Sequence, residues 1–323
     1  MTHWVQAVRE GNRRALAQML THIENGGERA HEALAALYPH AGHAHRIGVT
    51  GGAGTGKSTL VNALARALRQ RGRTVGIVTV DPSSPFTGGA LLGDRVRMRD
   101  LAGDPGVFIR SMASRGQLGG LAGATADVVT ALDAAGFEVI VIETAGVGQG
   151  EVDIARAAHT TLVVEAPGLG DGVQAIKAGV LEIADILVLN KADLPGAAQA
   201  AGALQSALEP GADGLRTAGW MPPLVQTVAT EGKGIDALLD AIDAHNAHLA
   251  QGGQFAVRER LRVEAEITRR LRDALLARVL DDIGAAEFEA AVGRVLAREE
   301  DPHAAVRRLL DGLSTPTPPG DGR

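Results

Sequence analysis

The sequence predicts an α/β fold of three layers, with a mostly parallel sheet and helical segments at both ends. Apolar strand-like runs alternate with helical segments from Arg46 onward, which is the pattern of right-handed βαβ units. Runs such as Val139 to Ile142 are apolar throughout, as expected of strands that are buried on both faces. Ligands of such sheets gather at the carboxyl ends of the strands, so the residues that follow each strand are the functional candidates.

Composition narrows the class of protein. The chain has 323 residues, of which 45 % are hydrophobic and 22 % charged, so it can bury a substantial core. A net charge of −6 with scattered arginines gives no basic footprint, and we expect no nucleic-acid partner. The sequence contains no cysteine, which excludes disulfides and thiolate metal sites. No signal-like start and no apolar run of about 18 residues is visible, so we expect a cytoplasmic protein with no membrane partner.

Residues 1–44 are predicted to form an N-terminal helical segment. Apolar spacing predicts two helices within residues 2–38, separated at Asn25 to Gly27. His40, His43 and His45 follow in a linker. Such an array could bind a metal, but the cluster lacks a carboxylate or cysteine, which favours solvated linker histidines.

Residues 45–250 are predicted to form one nucleotide-binding domain. Its predicted strands are Ile47 to Thr50, Thr74 to Val80, Val107 to Ile109, Val139 to Ile142, Thr161 to Val164, Ile186 to Leu189 and Leu224 to Thr227.

A phosphate-binding loop follows the first of these strands. Gly51 and Gly56 with Lys57 and Ser58 satisfy the pattern G-x-x-x-x-G-K-[ST]. Glycines let successive N–H groups curl around an anion, and the helix N-terminus adds partial positive charge. Lys57 would reach the β- and γ-phosphates, and the Ser58 hydroxyl would ligate Mg²⁺. The predicted phosphate-binding residues are Gly51, Gly52, Ala53, Gly54, Thr55, Gly56, Lys57, Ser58 and Thr59.

Two acidic residues also follow strands. Asp81 comes directly after Val80, where a carboxylate can hold Mg²⁺ through water, although Asp-Pro by itself is also a common turn start. Glu143 ends a buried strand, and the glycine-containing loop after it can approach a γ-phosphate and rearrange when that phosphate leaves.

Asn190-Lys191-Ala192-Asp193 is the N-K-x-D pattern of guanine-specific GTPases. The Asp193 carboxylate can accept hydrogen bonds from N1–H and the N2 amino group of guanine, which adenine lacks, while the Lys191 stem packs along the purine. After the last strand, a backbone N–H of Val228, Ala229 or Thr230 could bond guanine O6.

Together these motifs resemble the methylmalonyl-CoA mutase-associated GTPases over about residues 45 to 245. The resemblance is carried by Gly48 to Thr59, Asp81 to Pro85, Thr87 to Gly89, Leu92 to Arg95, Ser114 to Gly116, Leu118 to Gly120, Glu143 to Gln149 and Asn190 to Asp193. It implies a P-loop G domain. Members are G-protein chaperones of adenosylcobalamin-dependent acyl-CoA mutases, and some carry the older label of arginine/ornithine transport kinase.

The resemblance also implies roles for individual residues. Asp81, Asp94 and Glu143 would surround Mg²⁺ and the attacking water. Gly168 to Lys177 matches a third switch, in which Asp171 and Lys177 respond to the partner. The expected catalytic residues are Lys57, Asp94, Glu143 and Lys177, and the expected metal ligands are Ser58, Asp81, Asp94 and Glu143. Alanine at 145 and glycine at 150 replace the valine and serine more common in the family, and both changes are small.

Residues 251–313 are predicted to be helical, over Phe255 to Leu280, Ala285 to Arg298 and Pro302 to Leu310. An apolar stripe runs along the first helix. The resemblance implies a dimerisation arm and hence a homodimer, and packing within one chain is the alternative. Residues 314–323 are predicted to be a disordered tail.

We therefore expect a Mg²⁺-dependent enzyme that binds GTP and GDP and hydrolyses GTP. Its expected role is to gate adenosylcobalamin loading and protect a cobalamin-dependent mutase. Three alternatives stay open at this point: a nickel- or metal-insertion GTPase, a P-loop small-molecule kinase, and an assembly module without useful turnover.

Overall fold

A computed structural model of the chain describes residues 2–81, 100–101, 103–113, 123–144, 150–168, 182–208 and 219–313. The predicted tail lies outside these ranges. Contacts divide the chain into one unit of residues 1–260 and a second of residues 261–323. The domain boundaries that the sequence suggests, after residues 44, 250 and 313, stay predictions.

The first unit contains a sheet of seven strands in the order β3-β2-β4-β1-β5-β6-β7, and every pair is parallel. The strands are β1 (His45–Gly51), β2 (Val75–Asp81), β3 (Val107–Ala113), β4 (Val139–Thr144), β5 (Thr160–Glu165), β6 (Ile186–Asn190) and β7 (Leu224–Thr227). The predicted fold class is confirmed. Every predicted strand is present, and the largest difference is in β3, which continues from Ile109 to Ala113.

Helices connect and cover the strands of the described ranges. They are α1 (Thr2–Arg9), α2 (Arg13–Asn25), α3 (Glu28–Leu37), α4 (Lys57–Gln70), α5 (Gly123–Ala134), α6 (Gly150–Ala157), α7 (Ala197–Ala207), α8 (Ile235–Gln251), α9 (Gln254–Ile283), α10 (Ala285–Leu296) and α11 (Pro302–Leu313). Among these residues, no helix has both the length and the apolar character needed to cross a lipid bilayer.

The prediction of two helices before residue 38 is wrong, because the structure has three. Gly11 adopts a φ of 84° and ends the first helix. Asn12 then begins the second, since its side-chain oxygen accepts a hydrogen bond from the Ala15 N–H at 3.0 Å. Asparagine is among the preferred residues at this capping position. The Gly-Asn pair was the local signal for the break.

The core lies on both faces of the sheet. On one face, Met19 of α2 and Leu132 of α5 pack with Ile140 of β4, so the N-terminal helices share the core of the sheet. On the other face, Leu64 of α4 and Leu238 of α8 are completely buried. Because both faces are covered, the ends of the strands remain as the accessible edges of the sheet.

The second unit contains the rest of α9 with α10 and α11. The Arg308 guanidinium joins the last two helices by donating to Glu287 at 2.6 Å and to Glu300 at 2.8 Å. These bonds lower the pKa of both carboxyl groups. No residue of α9, all of which is described, is buried.

Candidate nucleotide-binding site

The predicted phosphate loop connects β1 to α4 at the carboxyl edge of the sheet. Gly51 has a φ of 135°, and a Cβ atom there would lie 2.0 Å from the Val164 carbonyl oxygen. Gly56 has a φ of 92°, and a Cβ atom there would lie 2.5 Å from the Asn190 side-chain nitrogen. Both positions therefore require glycine, since any side chain would push the loop away from the neighbouring strands.

Lys57 is the first residue of α4 and is buried. Its Nζ donates to the carbonyl oxygens of Gly51 and Gly52, at 2.9 Å in each case. The ammonium group is thereby held against the loop, at the N-terminus of a helix whose dipole adds to its positive charge. Neutral carbonyl acceptors bind an ammonium less strongly than phosphate oxygens do, so a nucleotide can replace them.

Ser58 and Glu143 meet next to this loop. The Ser58 hydroxyl donates to Glu143 Oε1 at 2.7 Å, and both side chains are buried. Strand β2 lies beside β4 with Val80 opposite Thr144, so Asp81 at the end of β2 lies at the same edge of the sheet. Hydroxyl and carboxylate oxygens are the ligands that Mg²⁺ prefers, and this donor set fits the expected ion.

Asn190 joins three segments at the end of β6. Its amide nitrogen donates to the Thr55 carbonyl oxygen at 2.9 Å, which links the guanine motif to the phosphate loop. Its amide oxygen accepts hydrogen bonds from the Thr227 hydroxyl at 3.1 Å and the Ala229 N–H at 3.2 Å. Thr227 was not among the predicted site residues, although its position at the end of the neighbouring strand was a local signal.

Lys191 adopts a left-handed backbone conformation with a φ of 57°, which is uncommon for a residue other than glycine. Its Nζ donates to the Gly54 carbonyl oxygen at 2.8 Å. The Leu194 N–H donates to the Lys191 carbonyl oxygen at 3.0 Å and closes a turn that leaves Asp193 exposed. The carboxylate that is predicted to recognise guanine therefore faces solvent beside the phosphate loop.

The segment after β7 supplies the remaining predicted base contacts. The Val228 N–H donates to the Lys233 carbonyl oxygen at 3.0 Å, and the Ala229 N–H donates to Asn190. Thr230 is exposed. The N–H groups of Val228 and Ala229 thus have protein acceptors. The Thr230 N–H is therefore the remaining candidate for the predicted contact with guanine O6.

The structure brings together the phosphate loop, Glu143, the end of β2 and the guanine motif. Asp94, Asp171 and Lys177 lie outside the described residues, as does the loop of residues 145–149. The predicted contacts of these residues stay predictions.

The linker histidines do not form a metal cluster. His45 Nε2 lies 2.8 Å from the Thr160 hydroxyl, at the amino edge of the sheet. Within the described ranges there is no group of three metal-ligating side chains.

Comparisons with known proteins agree with this geometry. The family model described as methylmalonyl Co-A mutase-associated GTPase MeaB matches residues 16–283. A Pyrococcus abyssi relative named as a GTPase is 48 % identical over 306 residues, covering 95 % of this chain and 94 % of the relative. The GTPase ArgK of Escherichia coli is 39 % identical over 271 residues, or 80 % of each chain. The crystal structure of a LAO/AO transport system kinase matches with a TM-score of 0.73 and 26 % identity, covering 97 % of both chains.

Proposed function

The chain belongs to the methylmalonyl-CoA mutase-associated GTPases and hydrolyses GTP, and from this premise we propose that hydrolysis drives a chaperone cycle on a cobalamin-dependent acyl-CoA mutase such as methylmalonyl-CoA mutase. In this cycle the protein gates the loading of adenosylcobalamin and protects the mutase from inactivation. The support is the family match, whose description names association with this mutase.

The observation that carries the nucleotide assignment is the bonding of Asn190. One side chain bonds Thr55 of the phosphate loop, Thr227 at the end of β7, and Ala229 after it. A movement of the phosphate loop when a phosphate is gained or lost can thus shift the segments that are proposed to hold the base. We propose that Asp193 reads the N1–H and N2 amino group of guanine from this arrangement.

Roles for the phosphate-side residues follow from their chemistry. Lys57 transfers its hydrogen bonds from the loop carbonyls to the β- and γ-phosphate oxygens, where charge develops as the terminal phosphoryl group leaves. Ser58, Asp81, Glu143 and Asp94 are proposed to hold Mg²⁺, which when bound neutralises charge on the phosphates. Glu143, bonded to Ser58 in this structure, also orients the attacking water.

Lys177 is proposed to transmit the response to the mutase. The resemblance assigns it to a third switch, six residues after Asp171. No unambiguous arginine finger is visible in the sequence, so intrinsic turnover should be slow, and a cation that enters in the closed state can raise the rate by roughly 10³ to 10⁵ in GTPases. The cytoplasmic location stays a prediction of the composition.

The alternatives are less well supported. Neither a small-molecule kinase nor a metal-insertion GTPase is named by the family model. A metal-delivery role would also need a ligand cluster, and the described residues contain none. An assembly module without turnover does not agree with membership in a family of GTPases.

The test is GTP turnover with and without a purified adenosylcobalamin-dependent methylmalonyl-CoA mutase. We expect the mutase to raise the hydrolysis rate of the wild type. Lys177→Ala should keep GTP affinity within a fewfold and lose this increment, and Lys233→Ala, which changes an exposed lysine paired with Glu231, should keep it. If the mutase neither binds nor stimulates the wild type, the proposed role is wrong. If Lys177→Ala responds normally, the role of this lysine alone is wrong.

We also propose that the second unit forms a homodimer. Large apolar side chains are exposed along α9, namely Leu261, Ile267, Leu271, Leu275, Leu276 and Leu280. A second copy would remove them from water. Light scattering at micromolar concentration should give a dimer for the wild type and a monomer for Leu271→Glu/Leu275→Glu, with Arg272→Ala as a control on the same helix. A monomeric wild type would contradict the proposal.

A further inference from the structure

Asp185 is a buried carboxylate at the centre of a charged cluster at the amino edge of the sheet. It precedes β6 and accepts a hydrogen bond from the Thr161 N–H at 2.8 Å. Its two carboxylate oxygens accept hydrogen bonds from the Arg258 guanidinium at 2.6 and 2.9 Å. His245 Nε2 lies 3.2 Å from the same carboxylate. Burial alone would raise the pKa of Asp185, but nearby His245 and the hydrogen bonds from Arg258 hold this pKa below its usual value.

The arginine of this cluster belongs to the beginning of α9. Arg258 also donates to the His159 carbonyl oxygen at 2.7 Å. Its neighbour Glu259 lies 3.8 Å from the Arg46 guanidinium and 3.6 Å from His159 Nε2. The ring of Phe255 lies 4.4 Å from that of His159, between centroids. The first two turns of α9 are thus bound to the amino edge of the sheet through the Phe255 ring, the Arg258 guanidinium and the Glu259 carboxylate.

These contacts fall on three neighbouring strands. Arg46 is at the amino end of β1, His159 directly precedes β5, and Asp185 directly precedes β6. The carboxyl ends of β1 and β6 carry the phosphate loop and the guanine motif. Each of these two strands therefore has α9 at one end and the candidate nucleotide site at the other.

We infer that Arg258 and Asp185 are positioning residues for guanine-nucleotide binding, and that they act through strand β6. The inference rests on the assignment of the guanine motif proposed above. Arg258 fixes Asp185, Asp185 fixes the amino end of β6, and β6 sets the position of Asn190 against the phosphate loop.

Strand β6 is suited to transmit such a shift. All five of its residues are buried, from Ile186 to Asn190, and it is paired on both sides, with β5 and β7. Packed interiors have few voids and transmit displacement instead of absorbing it. Asn190 is 2 % exposed and holds three hydrogen-bond partners within narrow distances. A small movement of the strand along its axis is therefore enough to break the bond to Thr55.

The competing explanation is that these contacts stabilise the fold without influencing the nucleotide site. In that case, removing Arg258 would lower the stability of the protein, because a buried carboxylate would lose its partner, but would leave nucleotide affinity unchanged well below the melting temperature. Both explanations predict that removing Arg258 lowers the stability of the protein, and only the positioning role predicts that it also lowers nucleotide affinity.

The experiment measures GDP affinity and dissociation rate, with a fluorescent guanine nucleotide, on full-length variants at a temperature where all are folded. Arg258→Ala should weaken GDP binding about tenfold, mainly through faster dissociation. Asp185→Asn, which keeps the shape and is the variant more able to fold, should do the same. Arg258→Lys should recover part of the loss.

A matched control separates this effect from loss of any arginine in α9. Arg269 lies on the same helix, and its side chain is 24 % exposed against 21 % for Arg258. Its partners Glu266 and Asp273 are on α9 itself. Arg269→Ala should therefore leave GDP affinity within twofold of the wild type.

The double variant Arg258→Ala/Asp185→Asn tests the route. If Arg258 acts through Asp185, the double variant should bind GDP with the same affinity as the single variant that binds it more weakly. The inference would be overturned if the affinity losses of the two single variants multiply in the double variant, or if Arg258→Ala binds GDP with wild-type affinity.

Asp193→Asn serves as the reference for the site itself, since it should shift preference from guanine to xanthine nucleotides. If that shift fails, the guanine assignment is wrong. If it occurs while Arg258→Ala has no effect, only the positioning role is wrong.

Discussion

At the carboxyl edge of the sheet, Lys57 and Lys191 donate to carbonyl oxygens of a glycine-rich loop, whereas at the amino edge Arg258 is paired with the carboxylate of Asp185. The first kind of partner is neutral and the second is charged. An ammonium bound to a neutral carbonyl gains no ion-pair attraction, whereas the guanidinium and the carboxylate attract each other as opposite charges and share two hydrogen bonds. The lysines can therefore exchange their partners for phosphate at lower cost than the arginine can leave its carboxylate.

This difference gives the two edges of the sheet different properties. The amino edge is held by an ion pair, and the carboxyl edge can change its hydrogen bonds when a nucleotide binds. The carboxyl edge carries cations whose bonds are replaceable, beside the exposed Asp193. The amino edge pairs the buried carboxylate of Asp185 with the Arg258 guanidinium, as a buried charge requires. Variants of the carboxyl edge should accordingly lose activity with little change in stability. Variants of the amino edge should lose stability, and Arg258→Ala and Asp185→Asn should also lose nucleotide affinity.

The largest expected effect is at the carboxyl edge. Lys57→Ala should lower kcat for GTP hydrolysis by at least about 100-fold, because removal of one donor aimed at developing charge typically costs this much. Its melting temperature should change little, since the described bonds of the Lys57 ammonium are to carbonyl oxygens of the loop. Steady-state phosphate release and thermal melting measure the two quantities. If Lys57→Ala had a much lower melting temperature but an unchanged kcat, the proposed difference between the two edges would be wrong.

A smaller effect is expected at the amino edge on acidification. Burial, with nearby His159 and His245, lowers the pKa of His45 from 6.5 to about 3. Between these values the unfolded chain binds a proton that the folded chain does not, so stability falls as the pH is lowered below 6.5. Asp185, whose pKa is lowered, loses its contribution only at pH values below the ordinary 3.8.

Urea denaturation at pH 7 and pH 5 measures this loss, which should be about 1 to 2 kcal/mol for His45. His45→Gln keeps an amide to bond Thr160 and has no proton to bind, so its stability should depend less on pH over this range. An unchanged slope in His45→Gln would mean that other groups cause the pH dependence.

The smallest effect is expected for a neutral bond in the same cluster. The indole N–H of Trp220 donates to the Asp185 carbonyl oxygen at 2.8 Å. Trp220→Phe removes this bond and should lower the free energy of unfolding by about 1 kcal/mol, measured by urea denaturation at pH 7. A loss larger than that of Arg258→Ala would show that ring packing against His245 and His248, and not charge pairing, dominates the amino edge.

The sequence predicted elements best where the signal was periodic or local. All seven strands of the described sheet were predicted, because buried parallel strands are continuous apolar runs with polar punctuation. The number of N-terminal helices was not, since apolar spacing continues across Gly11 and Asn12 while the backbone turns there. Element ends also differed, as in β3, because strand pairing and not composition decides where a strand stops.

By itself the sequence determined the parallel α/β fold, the family, and the residues that lie next to one another in motifs, such as Gly51 to Ser58 and Asn190 to Asp193. Motifs are visible because their chemistry depends on fixed short spacing. The tertiary structure alone brought Asn190 to Thr55, 135 positions away, and Arg258 to Asp185, 73 positions away. No short pattern records such pairs, because they arise only when strand order places distant segments at the same edge of the sheet.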